Sequence, residues 1–349
     1  MPLVNFANLD FDQIKTSIKD YLRSNSNFTD YDFEGSNLST IIDVLAYNTY
    51  ITSYNANMVS NEVFIDSATL RENVVSLARN IGYTPFSKRS SQANISFFVN
   101  TTDYADQPQT ITLNKGLVAS SNSFANESYT FAILDDITVP VSDNTASFDN
   151  VAIYEGIYLT STFTVNSFDP DQRFILENSG IDLSTLRVVV KPSQSSTVTR
   201  KYIQSDSLFD VTSESPVYFV HEVDGERYEL IFGDGIFGKK LDAPSFIEVS
   251  YLVTGGELAN GINNFNFSGK LTSSRDNTTI SSGVSLVTAL NSSSLGQNIQ
   301  SVESIKKYAT QIYSSQKRAV TTADFEAIIP SLYTETESVS AFGGETLNP

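Results

Sequence analysis

The sequence predicts an α+β protein of several domains: a helical N-terminal segment, a central mainly antiparallel β domain, and the start of a C-terminal α+β region. Three observations predict it. Apolar residues recur at three- and four-residue steps up to about residue 87, the period changes to two between about Gln92 and Ile280, and a helical pattern resumes after residue 301. A length of 349 residues allows two or three domains with cores of their own. The predicted divisions are 1–87 (helical segment), 88–281 (β-rich domain) and 282–349 (linker and the beginning of a further α/β region).

In FDQIKTSIKDYL, Phe11, Ile14, Ile18, Tyr21 and Leu22 form one stripe while Lys15, Lys19 and Asp20 take the other side, which predicts a short amphipathic helix. A polar break, SNSNFTDYDFEGSN, precedes a second helix that carries Leu38, Ile41, Ile42 and Leu45 on one stripe, with Ser36 or Asn37 as its cap. From Ala46 to Ser60 this helix shows Tyr, Asn and Thr around most of its circumference. Such a face suits a protein interface, where Tyr is enriched and charge depleted, and it also fits an ordinary helix packed on its own neighbours. A third helix is predicted from about Ser67 to Ile81, with Thr69 and Glu72 spaced as a capping box and Gly82 as the stop.

Short runs such as ANISFFVN, YTFAILDDITV, TLRVVVKP, PVYFVHEV, RYELIF and FIEVSYLV predict strands, since they are β-branched or aromatic and bounded by Gly, Pro, Asn, Asp and Ser. The Ser- and Asn-rich stretch between 282 and 301 reads as an exposed bridge. SVESIKKYATQIYSSQ and TTADFEAIIPSLY then read as helices, with Thr321 and Thr322 as N-caps, and ETESVSAF as the beginning of a strand. A Gly-Gly turn after that strand suggests that the sequence is the front part of a longer protein.

Composition narrows the function. Zero cysteines remove disulfides, thiolate zinc sites and cysteine nucleophiles, and the single histidine, His221, lies in a strand-like run away from any nucleophile elbow. With 22 Lys and Arg against 40 Asp and Glu, the formal charge of −18 repels phosphates, so nucleic acid is not an expected partner. No apolar run is long enough for a membrane helix, and the start lacks the features of a secretory signal. Asp135 with Asp136, and Asp169 with Asp171, lack the pattern of a calcium loop and read as solvated loop acids.

FGDGIFG, Phe232 to Gly238, has the G-x-G-x-x-G spacing of a dinucleotide-binding loop, which needs a helix behind it to receive the pyrophosphate. Pro244 and a β-rich run follow instead, so Gly233, Asp234, Gly235 and Gly238 are expected to hold a structural turn, and no cofactor is expected. The glycines of YLVTGGELANG (251–261) read as loop punctuation, without the Lys-Ser or Lys-Thr of a phosphate loop.

Taken in order, DYDFEGSNLSTIIDVLAYNT (30–49), NEVFIDSATLRENVVSLARNIGYTP (61–85), YELIFGDGIFGKKL (228–241), YLVTGGELANG and RAVTTADFEAI (318–328) resemble the baseplate J-like family of contractile-tailed bacteriophages. The resemblance implies a non-enzymatic virion protein of the tail baseplate wedge that joins wedges into a ring around the hub and rearranges on contraction. It also implies an N-terminal bundle shared with a second copy and other wedge proteins, a β wing, C-terminal dimerisation, and by extension contacts with hub and sheath-proximal proteins. The bundle interface would be Leu38, Ile41, Ile42, Leu45, Tyr47, Asn48, Ile51 and Tyr54, and the wing would bend near Thr84 to Ser91. A phage-derived contractile injection system or a carbohydrate-binding tail adhesin are the alternative settings for such a chain.

Overall fold

The computed structural model describes residues 10–24, 36–102, 104, 107–166, 168–169, 171–205, 208–209, 211–275, 278–280, 282–316, 318–333, 336 and 338–344. The chain divides into two compact units, one of residues 1–85 with 301–349 and one of residues 86–300.

The helical unit contains α1 (Phe11–Arg23), α2 (Asn37–Glu62), α3 (Arg71–Asn80), α4 (Val302–Ser315) and α5 (Thr322–Leu332). Asp10 caps α1 by accepting from the N–H groups of Asp12 and Gln13, and Ser36 caps α2 by accepting from Ser39 N–H at 3.0 Å. Thr321 and Asp324 form a reciprocal capping box at α5.

The third helix departs from the sequence reading. It begins at Arg71 without a side-chain cap, because Thr69 is engaged by the preceding helix rather than by its own first turn. Glu62, at the end of α2, accepts from Thr69 N–H (2.8 Å), Thr69 hydroxyl (2.6 Å) and Asn73 amide (2.8 Å), and so pins the α2–α3 corner. Partial burial pushes this carboxyl upward, but the bonds from Thr69, Asn73 and Leu70 outweigh it and hold Glu62 below its ordinary value. Glu62 therefore adds stability above the ordinary carboxylate range, and that stability is lost as pH falls through its lowered value. Glu62→Ala should lower the melting temperature at pH 7 by the worth of its bonds, about 1 kcal/mol, with the difference shrinking in melts taken toward pH 3.

At its other end α3 closes with a six-to-one bond from Tyr83 N–H to Ala78 and a five-to-two bond from Gly82 N–H to Arg79, with Gly82 at φ +82°. This turn folds Tyr83 back into a core made by Ala68, Val74, Val75 and Ala78 together with Ile305, Ala309, Ile312 and Ala327. Both ends of the described sequence thus build one helical core.

Among the described residues the β unit holds seventeen strands. The first six are β1 (Gln92–Asn100), β2 (Thr110–Leu113), β3 (Gly116–Ser121), β4 (Thr130–Ile133), β5 (Ile137–Pro140) and β6 (Thr145–Glu155). Then come β7 (Ile157–Thr164), β8 (Phe174–Leu176), β9 (Ile181–Lys191), β10 (Arg200–Gln204), β11 (Val217–Val223), β12 (Arg227–Phe232) and β13 (Phe246–Val253). The last four are β14 (Phe265–Phe267), β15 (Leu271–Ser273), β16 (Thr279–Ile280) and β17 (Thr288–Ala289).

Two modules result. A six-stranded sheet in the order β14-β3-β4-β6-β1-β17 and a four-stranded sheet in the order β16-β15-β2-β5 enclose one core, with Phe97 stacked on Phe148 at 4.8 Å. The second module is a seven-stranded sheet, β7-β13-β9-β10-β11-β12-β8, antiparallel except where β10 meets β11. Its two edge strands approach through Phe163 and Phe174, whose rings lie 5.7 Å apart. Gln172 bridges the same seam, donating to Thr164 C=O and accepting from Asn166 N–H, so the sheet curls toward a barrel around its own core.

The stretch read as an exposed bridge is instead part of the sandwich. β17 pairs with β1, and Val284, Ser294 and Gln297 make bridges to Val99, Gln92 and Arg89. The edge of β1 needs a partner for its backbone groups, and small polar residues can supply one without any apolar alternation. This return brings Gln300 to the start of the unit: Phe86 N–H donates to Gln300 Oε1 and Gln300 N–H donates to Phe86 C=O. The segment near Thr84 to Ser91, read as a bend, is bonded into the β unit from Phe86 onward, through Arg89 to Gln297 and Ser90 to Asp182.

Candidate functional site

α2 is unusual in what it leaves outside. From Val44 to Asn61 it carries no charged residue. Ile42 (1% exposed) and Ala46 (0%) are buried on one flank, together with Ser39, Asn57 and Asn61, and α1 lies along this helix. Ile41 (54%), Leu45 (52%), Tyr47 (61%), Ile51 and Tyr54 are exposed, as is Asn48. Leu38 is half-buried.

Of the eight residues named from the sequence, six are therefore available on the outside, and Ile42 belongs to the interior of its own chain. Hydrophobicity at the right spacing could not tell these apart, because α1 had first to be placed. Val44, Met58 and Val59 are also exposed, and they extend the apolar side further along α2 than the sequence reading took it. The signal was there, since the uncharged run continues to Asn61. Asp43, the one acid in the preceding turn, is met by Lys15 of α1 at 2.5 Å, so the exposed side presents apolar and amide groups without a bare charge nearby.

The FGDGIFG loop has a different role. Phe232 is the hub of the barrel's aromatic cluster, with ring contacts to Phe174 (5.4 Å), Tyr202 (5.6 Å) and Tyr218 (6.4 Å). Immediately after it, Gly233 passes so close to Gly238 that a Cβ there would fall inside the Gly238 backbone. Asp234 Oδ1 accepts from the N–H groups of Ile236 and Phe237, both at 2.8 Å, and these bonds hold its carboxyl below the ordinary value. Gly235 and Gly238 adopt φ +93° and +90°. The next regular element is β13, so no helix follows the loop as a dinucleotide-binding turn requires.

The TGG run ties strands. Glu155, at the end of β6 and 6% exposed, accepts from Thr254 hydroxyl (2.5 Å) and Gly255 N–H (3.1 Å). Burial pushes its carboxyl up despite these bonds and nearby Lys88, and Asp182 adds to the rise. Asn260 bonds Ser91 and both the N–H and C=O of Gly296, and so fastens the returning segment. His221 is half-buried on β11 opposite Glu229.

Comparison with known proteins points to the same helical segment. Residues 10–83 match the family described as baseplate wedge protein gp6-like, helical domain. The gp6-like segment thus contains α1, α2 and α3 in full. Over 353 aligned positions the chain is 26% identical to the baseplate wedge protein gp6 of Enterobacteria phage T4, covering 93% of this chain and 50% of that protein. Among solved structures, the cryo-EM baseplate of the anti-feeding prophage contains a similar chain at 12% identity. That alignment covers 92% of this chain and 56% of the other, with a TM-score of 0.32, too low to establish a common fold. The chain spans about half the length of the relatives it matches.

Proposed function

We propose that this chain is a structural component of a contractile-tail baseplate wedge, and that the outer side of α2 is where it joins neighbouring helices of the assembly. The observation that carries this reading is the exposed, uncharged side of α2 within the gp6-like segment. Eighteen consecutive uncharged residues on a helix of a chain with net charge −18 are hard to explain as a solvated surface, whereas burial against partner helices needs that composition. Partners are a second copy and other wedge proteins, with hub and sheath-proximal proteins reached through the larger assembly. The role proposed is one of assembly rather than turnover.

The test is to express the chain with the other baseplate genes of the same genome, purify the particle and locate the chain by electron microscopy. Density for α2 packed against helices of other chains is the expected result. A chain at the particle's periphery with α2 facing solvent, or one that binds glycans as a free trimer, would overturn the proposal.

A further inference from the structure

The two modules of the β unit are joined by two chain crossings that lie side by side. The first runs from Glu155 through Gly156 to Ile157, out of β6 and into β7. The second runs from Val253 to Gly256, out of β13 and back toward β14. The barrel is thus an insertion within the sandwich, and the Glu155 carboxylate holds the crossings together through Thr254 and Gly255. Gly156 permits their close approach, since a Cβ there would lie 2.7 Å from Val253 C=O.

Around these crossings the modules also touch through Ser90 N–H donating to Asp182 and Leu183 N–H donating to Ser87, while the apolar contact is small. Ala132, Leu134 and Leu252, with Tyr154 and Tyr158 against them, form an apolar cluster separate from both module cores. Modules joined by so limited an apolar contact are expected to move relative to each other. Beside the cluster a cleft of about 560 Å³ opens between them. Its sandwich wall carries Lys115, Asp135 and Asp136, and its barrel wall carries Arg187, Lys201 and Glu248. Glu248 is already paired with Lys191 at 2.6 Å, so the pairs open to form across the cleft are those of Arg187 and Lys201 with Asp135 and Asp136. Only one such pair is near contact, Arg187 with Asp135 at 3.8 Å.

We propose that the sandwich and barrel form a clasped hinge, pivoting at the Glu155 crossings, whose motion closes the cleft and brings these opposite charges together. The structure holds the open form. Closure replaces solvated charges with ion pairs across the cleft, while the Glu155 clasp and the apolar cluster keep the pivot intact. The hinge lies wholly inside residues 86–300 and shares no residue with the α2 surface, so the two can be tested separately.

Because the chain has no cysteine, one pair of spin labels can be placed cleanly. With labels at Leu117→Cys and Ile203→Cys, exposed positions on the two modules that carry none of the cleft's charges, pulsed dipolar spectroscopy of the full chain should resolve two distances. The shorter should lose population several-fold on going from low salt to about 1 M, where the screening length is roughly 3 Å. Glu155→Ala, or Thr254→Val if that variant fails to fold, should broaden both distances. A single narrow distance, unchanged by salt and by the clasp variants, would overturn the proposal.

Discussion

Ile41→Asp or Leu45→Asp should abolish co-assembly with the other wedge proteins while leaving the free chain folded. Both side chains are more than half exposed, so the substitutions cost little in the isolated protein. In the assembly each would bury an unpaired carboxylate, at about 3–5 kcal/mol, which weakens association roughly 100-fold to more than 1000-fold. Pull-down and circular dichroism together check both halves. Ile42→Asp serves as the contrast: at 1% exposure it should lower the melting temperature of the free chain, because it opens the interior of the helical unit. Ser17→Asp on the exposed side of α1 should change neither. Equal co-assembly of wild type, Ile41→Asp and Leu45→Asp would place the partner surface elsewhere.

Gly233→Ala should be among the most destabilising single changes in the β unit. Its Cβ has no place to go, because the obstruction is the backbone of Gly238, which is itself held by Val217 and by its N–H bond to Thr212. Relief requires separating two chain segments next to the aromatic hub Phe232, a loss of about 3–5 kcal/mol. Gly235→Ala meets only Lys240 at 3.7 Å and bears the strain of φ +93° alone, about 1–2 kcal/mol. Denaturant unfolding of the two variants should therefore separate them clearly. Similar losses would show that the glycines serve only backbone conformation and that close approach is irrelevant.

Much of this architecture was legible in residue patterns. α1, α2, α4 and α5 carry capping side chains, and strands such as β1, β2, β11 and β12 alternate over most of their length. β6 was harder to see for a specific reason. Its alternation breaks at Asp149 and Asn150, where two residues face one of β1 and Asn150 takes φ +53°. The segment 282–300 was misread because its pairings are short and interrupted, at Val284, Thr288 with Ala289, Ser294 and Gln297, so no continuous alternation marks them. Thr69 and Glu72 had the spacing of a capping box, but Glu62, seven residues before Thr69, took the hydroxyl. On α2 the uncharged character was plain, and only the division between inner and outer sides needed the fold. The expected strand in ETESVSAF lies partly outside the described residues, and the break SNSNFTDYDFEGSN almost entirely so.

The helical core joins residues 68–83 to residues 305–327, with the whole β unit encoded between them. On the ribosome, Val74, Val75 and Ala78 emerge first and wait for Ile305 and Ile312. At about 5–20 residues per second that wait lasts on the order of ten seconds or more. During it the apolar side of α3 has only Ala68, Tyr83 and their neighbours to cover it, so the segment is vulnerable to wrong encounters until α4 and α5 arrive. The order of synthesis thus delays completion of the helical unit until the β unit has been made.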